Sequence, residues 1–400
     1  MVIVSPLKPF IPVNPKEFCT KPYDVISIEE EQNLKEYSNS LIHLILPDGE
    51  GNKIYENAAK VYNEFKNKGI ILQEKIPSIF VYRQESAHFN HQGLIIGISL
   101  KDYEDGNIVK HEHTREKPLR DRTHHIVATN VASGLVWTVF KTNSQINDII
   151  EQIKKQKPKF KFEKYGYKHI LWQETNPIVI KKLKKLFENE KVYIADGHHR
   201  AASAAEYRKL QLKKSNINKK TDEPWQNLLT YVASDDQVCI MPYNRVVKKL
   251  PLSESEFLEE LKKTFDIELT GHSFNPAKKN EIAICLRGKW YKLIVRNKEF
   301  KTKRESLDVA ILQDNVLGPI LGISDPRADE NLFFVGGIKD PVKMEKYITE
   351  KGNDLFINLF PVDIKDLESI ADKGEVMPPK STWFDPKLLS GLVLHDLQQI

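Results

Sequence analysis

Apolar residues recur at helix-like and strand-like spacings along most of the chain. From Tyr55 to Lys68 they fall three or four residues apart, and Gly69 follows, which predicts an amphipathic helix that ends there. Two runs rich in β-branched and aromatic residues, Ser78 to Arg83 and Gly93 to Leu100, are divided by a polar turn. That pattern predicts a pair of strands joined as a hairpin.

The middle of the chain indicates alternating strands and helices. The expected elements are a strand over Pro177 to Ile180, a lysine-rich helix ending near Glu190, a strand over Lys191 to Ala195 and a helix over Arg200 to Leu212. Further along, Ser253 with Glu256 three residues later predicts a capping box at a helix start. Because strands and helices alternate irregularly, we predict an α+β, or mixed α/β, fold class.

The length of 400 residues predicts two or three globular units. No glycine-, serine- or proline-rich linker divides the chain, so the expected boundaries are soft. We expect an N-terminal α+β region at 1–150, a core region at 151–249 and a C-terminal α+β region at 250–400. The capping box near Leu250 places the start of the last region.

Composition narrows the classes of protein. With 60 Lys+Arg, 55 Asp+Glu and a net charge of +5, the chain does not indicate a nucleic-acid-binding surface. Cys19, Cys239 and Cys285 form no C-x-x-C pair, so neither a disulfide framework nor a thiolate zinc site is predicted. The chain offers no apolar run of membrane-spanning length and no signal-like start. We therefore expect a cytoplasmic protein without a membrane partner.

The sharpest chemical feature is the run Asp196-Gly197-His198-His199-Arg200, between an apolar strand and an alanine-rich helix. The start of a helix presents N–H groups without intrahelical acceptors and a partial positive charge. Glycine lets a phosphate approach the backbone closely, and arginine can form bidentate hydrogen bonds to it. The turn therefore predicts an anion site. The structural alternative is that Asp196 merely caps the helix and that the two histidines are surface residues.

A second polar cluster precedes this turn in the sequence. It comprises Lys110 to Lys117, Asp121-Arg122 and His124-His125. If it begins as a strand, His111 and His113 share one face and could bind zinc, although no third ligand is fixed. The other interpretations are a solvated charged loop, or a substrate or phosphate site that also holds a base.

Two further segments carry candidate residues. Pro22 to Ser27 places Asp24 in a turn before a polar helix, where Ser27 is a plausible cap and no catalysis is required. Near the other end, Met377 to Phe384 presents Lys380 after two prolines. That segment either holds an ammonium group rigidly or packs its aromatic pair against the protein.

Five motifs in chain order resemble the prokaryotic family known as domain of unknown function 1015. They are Pro22-Tyr23-Asp24-Val25-Ile26-Ser27, Val81-Tyr82-Arg83-Gln84, His111-Glu112-x-Thr114 with Lys117 and Asp121-Arg122, Ala195-Asp196-Gly197-His198-His199-Arg200, and Met377-Pro378-Pro379-Lys380-Ser381-Thr382 through Pro386-Lys387 and Gly391-Leu392. The resemblance extends over nearly the whole chain.

The Asp-Gly-His-His-Arg turn is also similar to that of free-serine kinases of the ParB/sulfiredoxin-like fold. This second resemblance is local, from about Pro177 to Leu212. It implies a ParB/sulfiredoxin-like core within 151–249, with large additional α+β regions. It also implies transfer of a phosphoryl group from ATP or ADP to the hydroxyl of free L-serine, or a similar small alcohol, giving O-phosphoserine.

For this transfer reaction we expect the following roles on this sequence. The nucleotide phosphates would be bound by Gly197, His198, His199 and Arg200, and negative charge would be offset by Lys117 and Arg122. Asp196 would help to hold Mg²⁺ and would take part in catalysis with His198, and the general base would be Asp24 or Glu112. The substrate would be contacted by His111, Thr114, Lys380, Ser381 and Thr382. The base cannot be transferred by position, because in the smaller kinases it lies nearer the turn.

Two other functions stay open at this point. One is a nucleotide-binding switch or partner-loading protein without kinase activity, since one fold serves several functions. The other is a metal-dependent hydrolase built on His111, His113 and the pair His124-His125. The sequence does not decide between ATP and ADP, and it leaves the acceptor and the oligomeric state open.

Overall fold

The structure is a computed structural model that describes residues 1–87, 89–112, 114–214, 223–337 and 339–398. His113 lies outside the described residues. The helices are α1 Pro15–Phe18, α2 Ile28–Lys35, α3 Ile42–Ile45, α4 Lys53–Asn67, α5 Leu100–Glu104, α6 Glu116–Thr129, α7 Ser144–Ile153, α8 Pro177–Phe187, α9 His198–Lys214, α10 Glu254–Leu261, α11 Asp308–Leu312, α12 Pro341–Lys351 and α13 Ile364–Asp372. Shorter turns lie at Tyr23–Val25, Pro224–Gln226, Asp235–Gln237 and Gln313–Leu317.

The strands complete the described elements. They are β1 Val4–Ser5, β2 Phe10–Pro12, β3 Ile71–Gln73, β4 Ile79–Glu85, β5 Asn90–Ser99, β6 Ile108–Val109, β7 Val131–Ala132, β8 Val136–Phe140, β9 Phe160–Lys164, β10 Tyr167–Glu174, β11 Val192–Asp196, β12 Asn227–Ser234, β13 Cys239–Met241, β14 Tyr243–Val247, β15 Phe265–Thr270, β16 Glu281–Leu286, β17 Lys289–Val295, β18 Leu332–Gly336, β19 Leu355–Asn358, β20 Trp383–Asp385 and β21 His395–Asp396.

The chain divides into two compact units, which differ from the three expected regions. The first unit is Met1–Val238 with Pro386–Ile400, and the second is Cys239–Asp385. Strands β4 and β5 pair with β10 and β12, so residues from both 1–150 and 151–249 contribute to one sheet. Sheet pairing across position 150 is the physical reason that this boundary does not separate two units.

The first unit is built on one mixed sheet. Among the described residues its strands follow the order β6-β11-β8-β12-β5-β4-β10-β9, with β1 paired to β5. β6 is parallel to β11 and β8 is parallel to β12, whereas the other neighbours are antiparallel. Apolar side chains from the strands and from α7, α8 and α9 form its hydrophobic core. The α+β fold class is confirmed, and the ParB/sulfiredoxin-like core stays a prediction.

The second unit carries an antiparallel sheet of its own. Its strands follow the order β15-β17-β16-β19-β14-β18. α12 packs against β19, and the predicted capping box is confirmed at α10, where Ser253 and Glu256 bond each other's backbone N–H groups. Buried apolar residues, Phe356 and Trp290 among them, form a separate core.

Other local predictions meet mixed outcomes. The helix expected over Tyr55 to Lys68 and the expected hairpin are confirmed by α4 and by the pairing of β4 with β5. The strand expected over Pro177 to Ile180 is wrong, because Asn176 caps α8 and Pro177 occupies its first turn. The segment at His111 and Glu112 is likewise not a strand, since β6 ends at Val109.

The C-terminal segment, residues 386–398, returns to the first unit. β21 pairs with β7, and the Ser390 N–H donates to the Thr20 carbonyl at 2.9 Å. Gly391 has φ +85°, and a Cβ there would lie 2.9 Å from Leu41 and Phe18 carbons, so a glycine is required. The segment is therefore held closely by the first unit.

Two properties of the whole chain complete the description. Cys19, Cys239 and Cys285, all in described segments, are free thiols. Within the part of the chain that the structure covers, no helix combines the length and apolar character needed to span a bilayer.

Candidate functional site

The Asp196–Arg200 turn joins β11 to α9. β11 is buried on both faces through Val192 to Ala195, and its pairing with β8 shifts register before Asp196. Gly197 has φ +94°, and a Cβ there would lie 3.3 Å from the Arg200 guanidinium carbon. The first helical bond runs from the Ala201 N–H to the Gly197 carbonyl at 3.0 Å. Earlier amides at this end have no intrahelical acceptor, so the turn has the backbone geometry of an anion site.

Arg200 lies across this turn and is mostly buried. Its Nη1 donates to the Leu135 carbonyl, and its Nη2 donates to Asp196 Oδ2 at 3.3 Å. The side chain is 16% exposed and packs over Gly134, where a Cβ would lie 3.2 Å from Arg200 Cδ. The guanidinium is thus fixed in place by its neighbours, with further N–H groups beyond these two bonds.

The structure brings the second polar cluster against the turn. The Arg115 N–H donates to His199 Nε2 at 3.0 Å, across 84 positions in sequence. The rings of His111 and His198 meet edge to face with centroids 4.6 Å apart. Glu112 Oε2 lies 4.0 Å from His198 Nδ1. Two motifs that the sequence separates therefore form one cluster.

His111 and His198 are buried, with exposures of 3% and 7%. Among the described residues, His111 Nδ1 and His198 Nε2 have no hydrogen-bond partner. Burial lowers the pKa of His111 to about 4, although a hydrogen bond with the Ile194 backbone acts in the opposite direction and raises the pKa. Burial, followed by His111, lowers the pKa of His198 well below 6.5. Both imidazoles are therefore neutral at pH 7, and each keeps a nitrogen able to bond a ligand.

A cavity opens beside Arg200 and runs along one face of α9. Its empty volume of about 770 Å³ includes space that is open to solvent. Its polar lining includes Arg122, Arg200 and Ser390, and Ala204 lies on the α9 wall. The remaining wall is mainly apolar and includes Ile45, Leu100, Ile126, Tyr207, Trp225 and Leu228. An apolar cavity with a few converging polar groups is the usual form of a small-molecule site.

Tyr23 and Arg122 form another part of the cavity wall. The Arg122 guanidinium carbon lies 4.4 Å from the Tyr23 ring centroid, and its Nε donates to Asp121 Oδ2 at 2.8 Å. The pKa of Tyr23 is raised by burial first and by the nearby Asp24 carboxylate second. Asp24 itself is exposed, on the short turn next to Tyr23. The Pro22–Ser27 motif therefore borders the cavity.

Five other predicted residues are not among the contacts described above. Lys117 is exposed in the first turn of α6, and Thr114 is partly buried just before that helix. Lys380, Ser381 and Thr382 belong to the second unit. There, Ser381 Oγ donates to the Pro378 carbonyl at 2.5 Å, and Arg245 Nη2 donates to the Lys380 carbonyl at 3.1 Å. A substrate-binding role for these three residues stays a prediction.

The described residues give little support for a metal centre. Among them, no three His, Cys, Asp or Glu side chains are grouped to hold one metal ion. His125 Nε2 bonds the Leu44 carbonyl at 2.7 Å, and burial lowers its pKa to about 4. The ring of His124 packs edge to face on Tyr55 at 5.5 Å. These two histidines are therefore engaged away from His111.

The proposed Mg²⁺ ligand, Asp196, already carries two cations. Its Oδ2 accepts from Arg200, and its Oδ1 lies 3.5 Å from the Lys387 ammonium. Mg²⁺ requires a close octahedral shell of oxygens, and two cations at one carboxylate oppose a third. The residues at Asp196 therefore do not fit a Mg²⁺ ligand set.

Lys387 and Ser390 are site residues that the motif analysis did not select. Lys387 contacts Asp196, and Ser390 lines the cavity. The available signal was weak: Lys387 appeared only as the end of a family motif, in Pro386-Lys387. Their nearness to a turn almost 200 positions earlier depends on the return of the C-terminal segment.

The chain belongs to the family described as "Protein of unknown function (DUF1015)", whose model matches residues 7–310. The family resemblance stated from the motifs is therefore confirmed over residues 7–310, which contain the first four of the five motifs. No curated protein matches the chain.

Several solved structures show weak similarity. A mutant free serine kinase in complex with AMP has 13% identity and a TM-score of 0.38, with 72% of this chain and 87% of that chain covered. A conserved hypothetical protein from Pyrococcus furiosus has 14% identity and a TM-score of 0.36, covering 74% and 95%. SbnI from Staphylococcus aureus, truncated at its C-terminus, has 12% identity and a TM-score of 0.37, covering 74% and 85%. Similarity at this level assigns no part of the site.

Proposed function

We propose that this protein is a phosphotransferase that moves a phosphoryl group from ATP or ADP to the hydroxyl of a small alcohol. The observation that carries the proposal is the cavity whose polar wall contains Arg122 and, from the first turn of α9, Arg200. Two fixed guanidinium groups and the helix-start amides, which lack an intrahelical acceptor, suit a polyphosphate, and the apolar wall suits a nucleobase. L-Serine as acceptor rests on the sequence resemblance of the turn.

In the proposed reaction, the acceptor oxygen forms a bond to the terminal phosphorus as the bond from that phosphorus to the leaving nucleotide oxygen breaks. The acceptor proton passes to a carboxylate, for which Asp24 and Glu112 are the candidates. Arg200 and the amides of Gly197 to His199 stabilise charge on the phosphoryl oxygens. His198 is neutral and buried, and its Nε2, which lacks a partner among the described residues, is our candidate contact to the phosphates or to the acceptor.

The direct test incubates pure protein with terminally labelled ATP or ADP and a panel of amino acids and small alcohols, L-serine included. We expect labelled O-phosphoserine, or the phosphate ester of another panel member. Tight nucleotide binding with no labelled ester would favour the nucleotide-binding switch instead. Stoichiometric, tightly held zinc in the purified protein would favour the hydrolase.

Arg200→Ala is the sharpest variant for this site. Loss of the guanidinium should lower kcat/KM about a hundredfold or more, which corresponds to roughly 3 kcal/mol of barrier. Arg120→Ala is the matched control, because Arg120 is exposed on α6. Thermal unfolding must be followed in parallel, since Arg200 also bonds Leu135 and Asp196. A folded Arg200→Ala protein with full turnover would refute the assignment.

A further inference from the structure

The C-terminal segment adds a third cation to the candidate site. The Lys387 ammonium lies 3.5 Å from Asp196 Oδ1, and Arg200 holds the other oxygen of the same carboxylate. Both cationic side chains are only 16% exposed. One carboxylate therefore bridges a lysine and an arginine at the edge of the phosphate-binding turn.

The backbone of Lys387 is fixed by a buried hydrogen-bond chain. Gln84 Nε2 donates to the Lys387 carbonyl at 3.3 Å, and His91 Nε2 bonds Gln84 Oε1 at 2.8 Å. At the far end, Tyr231 Oη lies 3.0 Å from His91 Nδ1. Burial lowers the pKa of His91 to about 3, so its ring is neutral and carries one N–H. That state fits one direction: tyrosine donates to histidine, histidine to glutamine, and glutamine to Lys387.

The same segment reaches the cavity itself. Ser390, three residues after Lys387, lines the cavity, and its Oγ would lie 3.6 Å from a Cβ at Gly134. A Cβ at Gly134 would also touch Arg200, so the Ser390 hydroxyl is close to that side chain. Backbone hydrogen bonds between Ser390 and Thr20, and from the Gly391 N–H to the Ser133 carbonyl, hold this stretch in place.

We infer that residues 386–398 complete the site, with Lys387 as a phosphate-binding residue and Asp196 as the positioning residue that holds Lys387 and Arg200. The inference rests on the proposed nucleotide site and extends beyond residues 7–310, which the family model matches. It replaces the expected role of Asp196 as a Mg²⁺ ligand. An ammonium group supplies the point charge that phosphates bind in many nucleotide sites.

The first experiment measures ADP and inorganic phosphate binding by calorimetry in EDTA. Lys387→Met keeps the aliphatic stem and removes the charge, so we expect at least tenfold weaker ADP binding. Lys387→Arg should recover much of that loss. Lys181→Met, on the exposed face of α8, is the control and should change affinity less than twofold. Wild-type affinity in folded Lys387→Met would overturn the role of Lys387.

The second experiment tests how Asp196 acts. If Asp196 works by holding Lys387, the effect of Asp196→Asn on ADP affinity should shrink in a Lys387→Met background. The ratio of ADP affinities with and without Mg²⁺ should also stay within twofold of wild type in Asp196→Asn. Additive effects, or collapse of the Mg²⁺ ratio to one, would overturn the positioning role.

These outcomes separate the inference from the proposed function. If ADP binds and Lys387→Met weakens it, yet no alcohol is phosphorylated, the transferase proposal fails and the role of Lys387 stands. If an alcohol is phosphorylated and Lys387→Met binds and turns over like wild type, only the inference fails. If wild-type protein binds neither ADP nor phosphate, both fail.

Discussion

Two pairs of buried histidines in the first unit differ in one decisive respect. In the sheet, His91 bonds Tyr231 and Gln84, and His169 bonds the Tyr82 hydroxyl at 2.7 Å and the Lys164 carbonyl at 3.1 Å. At the turn, His111 Nδ1 and His198 Nε2 have no hydrogen-bond partner in the part of the chain that the structure describes. All four rings are buried or nearly so, and burial lowers all four pKa values.

The difference teaches that burial and a lowered pKa do not by themselves mark a functional histidine. Hydrogen-bond satisfaction does discriminate, because an unpartnered buried nitrogen costs free energy that a fold normally avoids. The sheet histidines, with both nitrogens bonded, are structural. The turn histidines each retain a nitrogen able to form a hydrogen bond, close to Glu112 and the N-terminus of α9, which is what a ligand site needs.

The largest expected contrast is in stability, between His91→Leu and His198→Leu. Replacing His91 leaves Gln84 and Tyr231 with buried, unsatisfied groups and should lower the free energy of unfolding by about 3 kcal/mol. Replacing His198 removes a nitrogen that already lacks a partner and should cost less than about 1 kcal/mol. Urea denaturation of both variants measures the difference. Equal losses would remove the basis for separating the two pairs.

The same His198→Leu protein should lose activity despite its stability. If His198 contacts the phosphates or the acceptor, kcat/KM should fall about a hundredfold, or roughly 2.7 kcal/mol. Single-turnover transfer with labelled nucleotide is the measurement, with His124→Leu, on the exposed face of α6, as the control. Unchanged turnover in the His198 variant would assign that ring to packing.

A smaller effect is expected from filling the cavity. Ala204 lies on the α9 wall of the cavity, and Ala204→Leu places three more carbons there. We expect KM for the nucleotide to rise about tenfold, or roughly 1.4 kcal/mol, with kcat nearly unchanged, because the base is displaced and the turn is not. A fall in kcat alone would show that the nucleoside does not occupy this cavity.

Counted for each ring separately, the smallest effect is the dependence of stability on pH. The folded pKa values of His91, His111, His125 and His169 are about 3 to 4, below the usual 6.5, because the rings are buried. Below pH 6.5 these rings are therefore protonated in the unfolded chain but remain neutral in the folded chain, so the free energy of unfolding falls as the pH falls. Each ring should contribute on the order of 1 kcal/mol per pH unit.

Urea midpoints at pH 7.5, 6.5 and 5.5 measure this slope. His91→Leu should lose less stability than wild type between pH 6.5 and 5.5, because it lacks one of the rings whose pKa is lowered by burial. A flat profile from pH 7.5 to 5.5 in wild-type protein would show that the rings titrate normally.

Local patterns predicted much of the secondary structure. The 3.6-residue spacing before Gly69 defined α4, and the apolar run of Val192 to Ala195 defined β11, because short-range sterics and burial act within each segment. The strand predicted over Pro177 to Ile180 is instead the start of a helix, because the Asn176 cap and the proline in the first turn outweigh β propensity. The division into units was also beyond local patterns, since sheet pairing across position 150 depends on long-range contacts.

By itself, the sequence determined the α+β class, the family and the turn Asp196-Gly197-His198-His199-Arg200. Each of these can be recognised from short segments whose residues are adjacent along the chain. Only the tertiary structure decided which distant side chains meet that turn. In the folded chain the His111 ring packs against His198, and Asp196 contacts both Lys387 and Arg200. Ser390 lines the cavity. Such contacts follow from sheet order and the return of the C-terminal segment, which no local spacing encodes.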